Sequence, residues 1–231
     1  MYPATALEMA RTIDQTNLRP EATSEEIADF VSESRKHGFR TVALMPSWVP
    51  LATEVLEGSD TSIVSSVGFP LGTVTTAAKV SEANWSIEHG REDIEIDMVM
   101  NLPLLRSRRY REVEEDIRAV VEAAEGHTVK VIIEVPLLNQ DEIVIASMIA
   151  ARAGVDFVKT STGFKAFPGM RASTPEDVRL IRSIVGAQVD VKIAGGVFTL
   201  EQALRAVKAG ASRIGTIAGI PIVESYRALA S

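Results

Sequence analysis

Asp156-Phe157-Val158-Lys159-Thr160-Ser161-Thr162-Gly163 is a short apolar run closed by a lysine and a glycine turn, and Val191-Lys192-Ile193-Ala194-Gly195-Gly196 repeats the plan further along. Runs this short and continuously apolar, rich in β-branched residues, read as parallel strands covered on both faces. The same kind of run recurs at Thr41 to Met45, Ile63 to Val67, Ile94 to Met100, Val129 to Val135 and Arg213 to Gly215, with a shorter one near Thr12 to Gln15. Together these predict about eight strands.

Helical segments separate them. Thr23-x-x-Glu26 is a capping box followed by Ile27, Phe30, Val31 and Ser34 on one helical face. Thr199-x-x-Gln202 repeats that start signal, and Thr174-Pro175-Glu176-Asp177 combines a cap, a first-turn proline and first-turn acids. His37-Gly38, His89-Gly90, Ala153-Gly154 and Ala209-Gly210 each end an amphipathic stretch, as glycine does when it takes the left-handed conformation. No linker-like or low-complexity segment interrupts the alternation. The expected architecture is one α/β domain over residues 1–231, a single (β/α)8 barrel, with a doubly wound open sheet as the alternative. In a barrel, chemistry belongs at the C-terminal ends of the strands.

Composition narrows the function. The chain has 231 residues, 46% hydrophobic and 24% charged, which is too apolar for disorder. It has no cysteine, so thiolate metal sites, disulfides and cysteine nucleophiles are excluded. A net charge of -7 argues against nucleic acid as a partner. No apolar run approaches a membrane span, and the opening MYPATALEMARTID lacks a basic leader and apolar core, so a cytoplasmic protein is expected. The three histidines, His37, His89 and His127, sit beside glycines where helices end, away from the expected site. No metal or cofactor is expected.

Lysine placement is uneven. Lys36, Lys79 and Lys208 fall in helical stretches and read as solvated, whereas Lys130, Lys159 and Lys192 lie in apolar strand runs. A lysine in a covered strand must be paired or shift its pKa. Lys159, at a strand end, is placed to stay neutral and attack a carbonyl, with Lys192 as the neighbouring cation. Ile94-Glu95-Ile96-Asp97-Met98-Val99-Met100-Asn101 puts Glu95 and Asp97 on one strand face, and Asp14 is another inward acid. Asp97 either pairs with Lys192 or relays protons; neutralising buried lysines is the competing structural reading. Three late glycine turns, at Thr162-Gly163, Gly195-Gly196 and Gly215 to Gly219, suggest an anion held by backbone N–H groups.

These blocks, with Ile13-Asp14-Gln15-Thr16-Asn17-Leu18-Arg19-Pro20, Val67-Gly68-Phe69-Pro70-Leu71-Gly72 and Lys130-Val131-Ile132-Ile133-Glu134, make the chain resemble the deoxyribose-phosphate aldolases almost end to end. That resemblance implies a class I aldolase on a TIM barrel, cleaving 2-deoxyribose 5-phosphate to glyceraldehyde 3-phosphate and acetaldehyde without metal. It implies Lys159 as the Schiff-base lysine, Lys192 as the lysine that perturbs it and Asp97 as the acid/base. The chain departs from the family pattern at Gln15, where histidine is common, at Ala43 for a usual cysteine, and at Met45, where a polar residue often stands. It departs again at Phe198 for a common arginine, at Ile217-Ala218 for common serines, and in a lengthened loop, Lys165 to Arg171. Phosphate recognition is therefore expected to lean on Gly163, Gly195, Gly196, Gly215 and Gly219, with Lys165 and Arg171 as added cations. Partners are expected to be phosphorylated sugars or aldehydes, with a homo-oligomer possible. The alternatives are a lysine-dependent aldolase with another acceptor and a sugar-phosphate-binding barrel without turnover.

Overall fold

Each helix start read from the sequence is capped in the computed structural model, which describes residues 3–164 and 169–230. Thr23, Thr174 and Thr199 each close a capping box with Glu26, Asp177 and Gln202, and Asn139 with Glu142 forms a fourth that pattern reading missed. The chain runs α1 (Ala6–Arg11), β1 (Ile13–Thr16), α2 (Ser24–His37), β2 (Thr41–Leu44), α3 (Val49–Val55), β3 (Ser62–Val67), α4 (Thr76–His89), β4 (Glu95–Val99), α5 (Leu102–Arg106), α6 (Tyr110–Ala123), β5 (Val129–Ile132), α7 (Gln140–Ala153), β6 (Phe157–Lys159), α8 (Pro175–Val185), β7 (Asp190–Ala194), α9 (Leu200–Ala209), β8 (Arg213–Thr216) and α10 (Gly219–Ala230). Helix stops follow expectation at Gly38, Gly154 and Gly210, all left-handed. Gly90 is the exception. Its backbone is extended, and the glycine is required by space, since a Cβ there would lie 2.5 Å from Ile94 and 2.6 Å from the Ser86 carbonyl.

The eight strands close into a parallel barrel in sequence order, β8 pairing with β1 through Ile13 opposite Ile214 and Asp14 opposite Gly215. The open sheet is thereby ruled out. Strand alternation sorts the side chains into two populations. Ile96, Met98, Val131, Val158, Val191, Ile193 and Ile214 face the helices and belong to the main apolar core, with Ile117, Ala146, Ile181 and Ala203 on the helix side. A second cluster, including Val42, Leu44 and Ile63, packs under α2 and α3. The opposite parity points to the barrel axis, and seven of the residues there are charged and buried: Asp14, Glu95, Asp97, Lys130, Lys159, Lys192 and Arg213. Among the described residues, no helix is long and apolar enough to cross a membrane.

Candidate functional site

The axial charges form a ladder that climbs from the strand starts to the strand ends. Arg213 and Glu95, each the first residue of its strand, pair at the base, and Phe157 lies under the cations of Lys130 and Arg213 at 5.7 and 5.8 Å. One step up, Lys130 Nζ lies 2.5 Å from Glu95 and 3.1 Å from Asp97 Oδ1. Asp14 accepts from Arg213 at 3.1 Å and from the Thr41 hydroxyl at 2.8 Å, and its second oxygen lies 2.6 Å from Lys192 Nζ. At the top, Asp97 Oδ2 accepts from both Lys159, at 2.7 Å, and Lys192, at 2.8 Å. Lys159 and Lys192 are direct register partners on β6 and β7, which brings two ammonium stems to one carboxylate oxygen.

Counting this ladder explains its electrostatics. Three buried carboxylates, Asp14, Glu95 and Asp97, face four buried cations, Lys130, Lys159, Lys192 and Arg213, with the half-exposed Arg40 3.7 Å from Glu95 at the base, so the buried set balances when one amine is neutral. Buried charge without a partner is the state a low-dielectric interior rejects. Lys192 has two carboxylates, Asp14 and Asp97; burial pushes its pKa down, but those two anions outweigh it and raise it. Lys159 shares Asp97 with two other lysines. Burial lowers it, Asp97 pulls it back up, and the Lys192 and Lys130 cations press it down again, to about 8. Burial raises the Asp97 carboxyl, yet the ammonium groups of Lys130, Lys159 and Lys192 hold it well below the ordinary carboxylate range. The surplus cation therefore falls on Lys159, the amine nearest the opening.

Lys159 opens on a mouth of about 350 Å³ at the strand ends, lined also by Thr162, Gly163, Gly195, Gly196 and Gly215. A larger groove, about 650 Å³, lies between α6 and α7 and contains none of the axial charges. Several expectations change here. Gly215 is not in a turn; it sits within β8, where a Cβ would lie 3.1 Å from the Lys192 Cε, so glycine leaves room for that lysine's stem. Gly219 opens α10, and its N–H donates to Gln15 Oε1 at 2.9 Å. Arg171 is committed to Asp177, at 2.6 and 2.8 Å, and does not line the mouth. Lys165 lies outside the described residues. Lys79, read as solvated, is fully buried, 2.6 Å from Asp116 and 2.9 Å from the Val99 carbonyl.

Arg213 was read only as a strand start, and its place among the axial charges was missed. Its signal was parity: it stands two residues before Gly215 on the same strand face. Glu134 was also missed. Its left-handed backbone turns the carboxylate toward the Thr162 N–H, 3.2 Å away, and so fixes the turn that follows Lys159. Among the described residues, no three His, Cys, Asp or Glu side chains group as metal ligands.

Fold and site together define a class: a (β/α)8 barrel enzyme with a buried amine at its strand-end mouth. A family model described as DeoC/LacD family aldolase matches residues 9–223. Deoxyribose-phosphate aldolase 1 of Staphylococcus aureus (strain MRSA252) is 46% identical over 222 residues, covering 96% of this chain and 98% of that protein. Among solved structures, one titled "QR15, an Aldolase" superposes with a TM-score of 0.89 at 37% identity, covering 95% of this chain and 96% of the other. The deoxyribose phosphate aldolase of Aeropyrum pernix, described as a unique tetramer, gives 0.87 at 32% identity, with 97% and 93% covered. The chain belongs to the DeoC/LacD family of aldolases.

Proposed function

We propose that this protein is a Schiff-base aldolase that reversibly cleaves 2-deoxy-D-ribose 5-phosphate to D-glyceraldehyde 3-phosphate and acetaldehyde. The observation that carries the reading is the Lys159 amine, brought down to about 8 and opening on the strand-end mouth while Lys192 stays charged beneath it. Neutral Lys159 Nζ adds to C1 of the open-chain sugar, and loss of water leaves a protonated imine. Removal of the C3 hydroxyl proton then breaks the C2–C3 bond. The phosphorylated aldehyde leaves, and the bonding electrons pass into an enamine, with the imine nitrogen as electron sink. Protonation at C2 and addition of water release acetaldehyde and return the free amine. Asp97, ionised at rest, accepts hydrogen bonds from Lys159 and Lys192 and serves as the acid/base that takes up and returns protons in these steps, while Lys192 keeps the amine short of its own proton.

The test is reduction with borohydride in the presence of acetaldehyde, followed by peptide mass mapping. The expected result is one reduced two-carbon adduct on Lys159. Absence of any adduct leaves a sugar-phosphate-binding barrel without turnover as the better reading, and an adduct elsewhere moves the nucleophile. Assembly into a homo-oligomer belongs to the same proposal, supported by the tetrameric description of the Aeropyrum pernix relative, and light scattering of the purified chain tests it.

A further inference from the structure

The acceptor end of the mouth differs in kind from its floor. Three of the eight large hydrophobic side chains exposed among the described residues line it: Phe164, Phe198 and Ile217, at 48, 53 and 67% exposure. Leu18, Phe69 and Val197 also line the mouth. Apolar side chains gathered around a pocket mark what the pocket receives.

Several N–H groups at the rim are already engaged. Gly163 donates its N–H to the Ser161 hydroxyl at 2.9 Å, and Phe164 to the Thr162 hydroxyl at 3.0 Å. Phe198 and Thr199 both donate to Gln202 Oε1, at 2.8 and 3.1 Å. Ala218 donates to the Thr216 hydroxyl at 2.9 Å and Gly219 to Gln15 Oε1. Among the described residues that line the mouth, the cations are Lys159 and Arg19, and Arg19 is paired with Glu21 at 2.7 Å and lies 3.7 Å from Glu26. A phosphate dianion here finds the Gly195 and Gly196 backbone, at the cost of its water shell against three exposed hydrophobic side chains.

We infer that the acceptor end of this mouth takes aldehydes with an uncharged, apolar substituent, and that a phosphate group adds little to their recognition. The inference rests on the aldolase reading above. In the synthetic direction, the enamine carbon formed from acetaldehyde on Lys159 attacks the acceptor's carbonyl carbon. The carbonyl π electrons move to oxygen, which takes a proton, and hydrolysis of the imine releases a 3-hydroxyaldehyde. The substituent beyond that carbonyl lies against Phe164, Phe198 and Ile217.

Two substrate comparisons on the whole protein test this. With acetaldehyde as donor, kcat/KM across propanal, butanal, pentanal and hexanal should rise about two- to fourfold per methylene, as apolar burial predicts. In the cleavage direction, 2-deoxyribose 5-phosphate should exceed 2-deoxyribose by less than tenfold. A phosphate preference of tenfold or more, or a flat or falling aldehyde series, overturns the inference. The double variant Phe198→Ser, Ile217→Ser should flatten the hexanal-to-propanal ratio, which is read within one preparation and so is insensitive to partial unfolding; an unchanged ratio also overturns it. Failure of the underlying reading looks different: the borohydride adduct on Lys159 is then missing, whereas its presence beside a strong phosphate preference removes only the claim about the acceptor.

Discussion

Lys79 and Lys159 are both buried lysines paired with a carboxylate, yet they do different things. Lys79, on α4, has Asp116 to itself and a backbone carbonyl besides, and Asp116 in turn accepts from Thr76 at 2.7 Å. Burial lowers its pKa and Asp116 opposes the shift. Charges there balance one to one, and the pair ties α4 to α6 across the end of β4. Lys159 shares a single oxygen with Lys192 and a single carboxylate with Lys130 as well. Reactivity follows from the count of partners, since burial alone is common to both.

The largest effect that separates them is loss of the nucleophile. Lys159→Ala should abolish the acetaldehyde adduct entirely in the borohydride and mass-mapping assay, and Lys159→Arg should do the same because a guanidinium stays protonated. An adduct surviving in either variant would mean another amine does the work.

Next comes the shared carboxylate. Asp97→Asn keeps the shape and removes the charge and the proton acceptor, so turnover should fall ~10²- to 10⁴-fold, the usual range for general acid–base assistance. Imine formation, followed separately by single-turnover trapping, should fall less. Near-normal turnover would return Asp97 to a purely structural role.

Lys79→Met tests the other side. Leaving Asp116 buried and unpaired should destabilise the fold by about 3–5 kcal/mol in urea unfolding, and adding Asp116→Leu should restore most of it. The pH dependence of imine formation should not move. A moved profile would show that the two buried pairs are electrostatically linked, contrary to the contrast drawn above.

Smallest, and most specific, is Lys192→Leu. Only the neutral Lys159 amine attacks, so imine formation should rise with pH through about 8 in the wild type. Removing the Lys192 cation takes away one force opposing protonation and frees Asp97 Oδ2 for Lys159 alone. Both changes favour the ammonium form, so the acid limb should shift to higher pH. An unshifted limb would assign the lowered pKa to burial alone.

Most of the barrel was legible because parallel strands and capped helices leave local signatures: β-branched runs, threonine caps and C-terminal glycines act within a few residues of one another. Lys159, Lys192 and Asp97 were legible because a charge inside an apolar run is conspicuous. Arg213 was not, since it stands at a strand start, where a solvated arginine is ordinary. Lys79 was misread because helical spacing alone does not say which helix face meets a strand end, and its partner Asp116 lies 37 residues away. The state of the rim was illegible for a related reason. Glycine and serine patterns show where an anion fits, but only the folded chain shows that Ser161, Thr162, Thr216, Gln15 and Gln202 already occupy many of the N–H groups concerned.

The charged ladder along the barrel axis also bears on temperature. The free energy of hydrating ions becomes less favourable on warming, so the penalty for withdrawing seven charged groups from water shrinks as the protein is heated. An axis packed with valine and leucine gains nothing comparable, because hydrophobic stabilisation per unit area levels off. The centre that holds Lys159 in place is thus the part of the molecule whose assembly is least penalised by heat, and thermal inactivation should begin in the helical shell and the rim, with the amine's surroundings among the last to come apart.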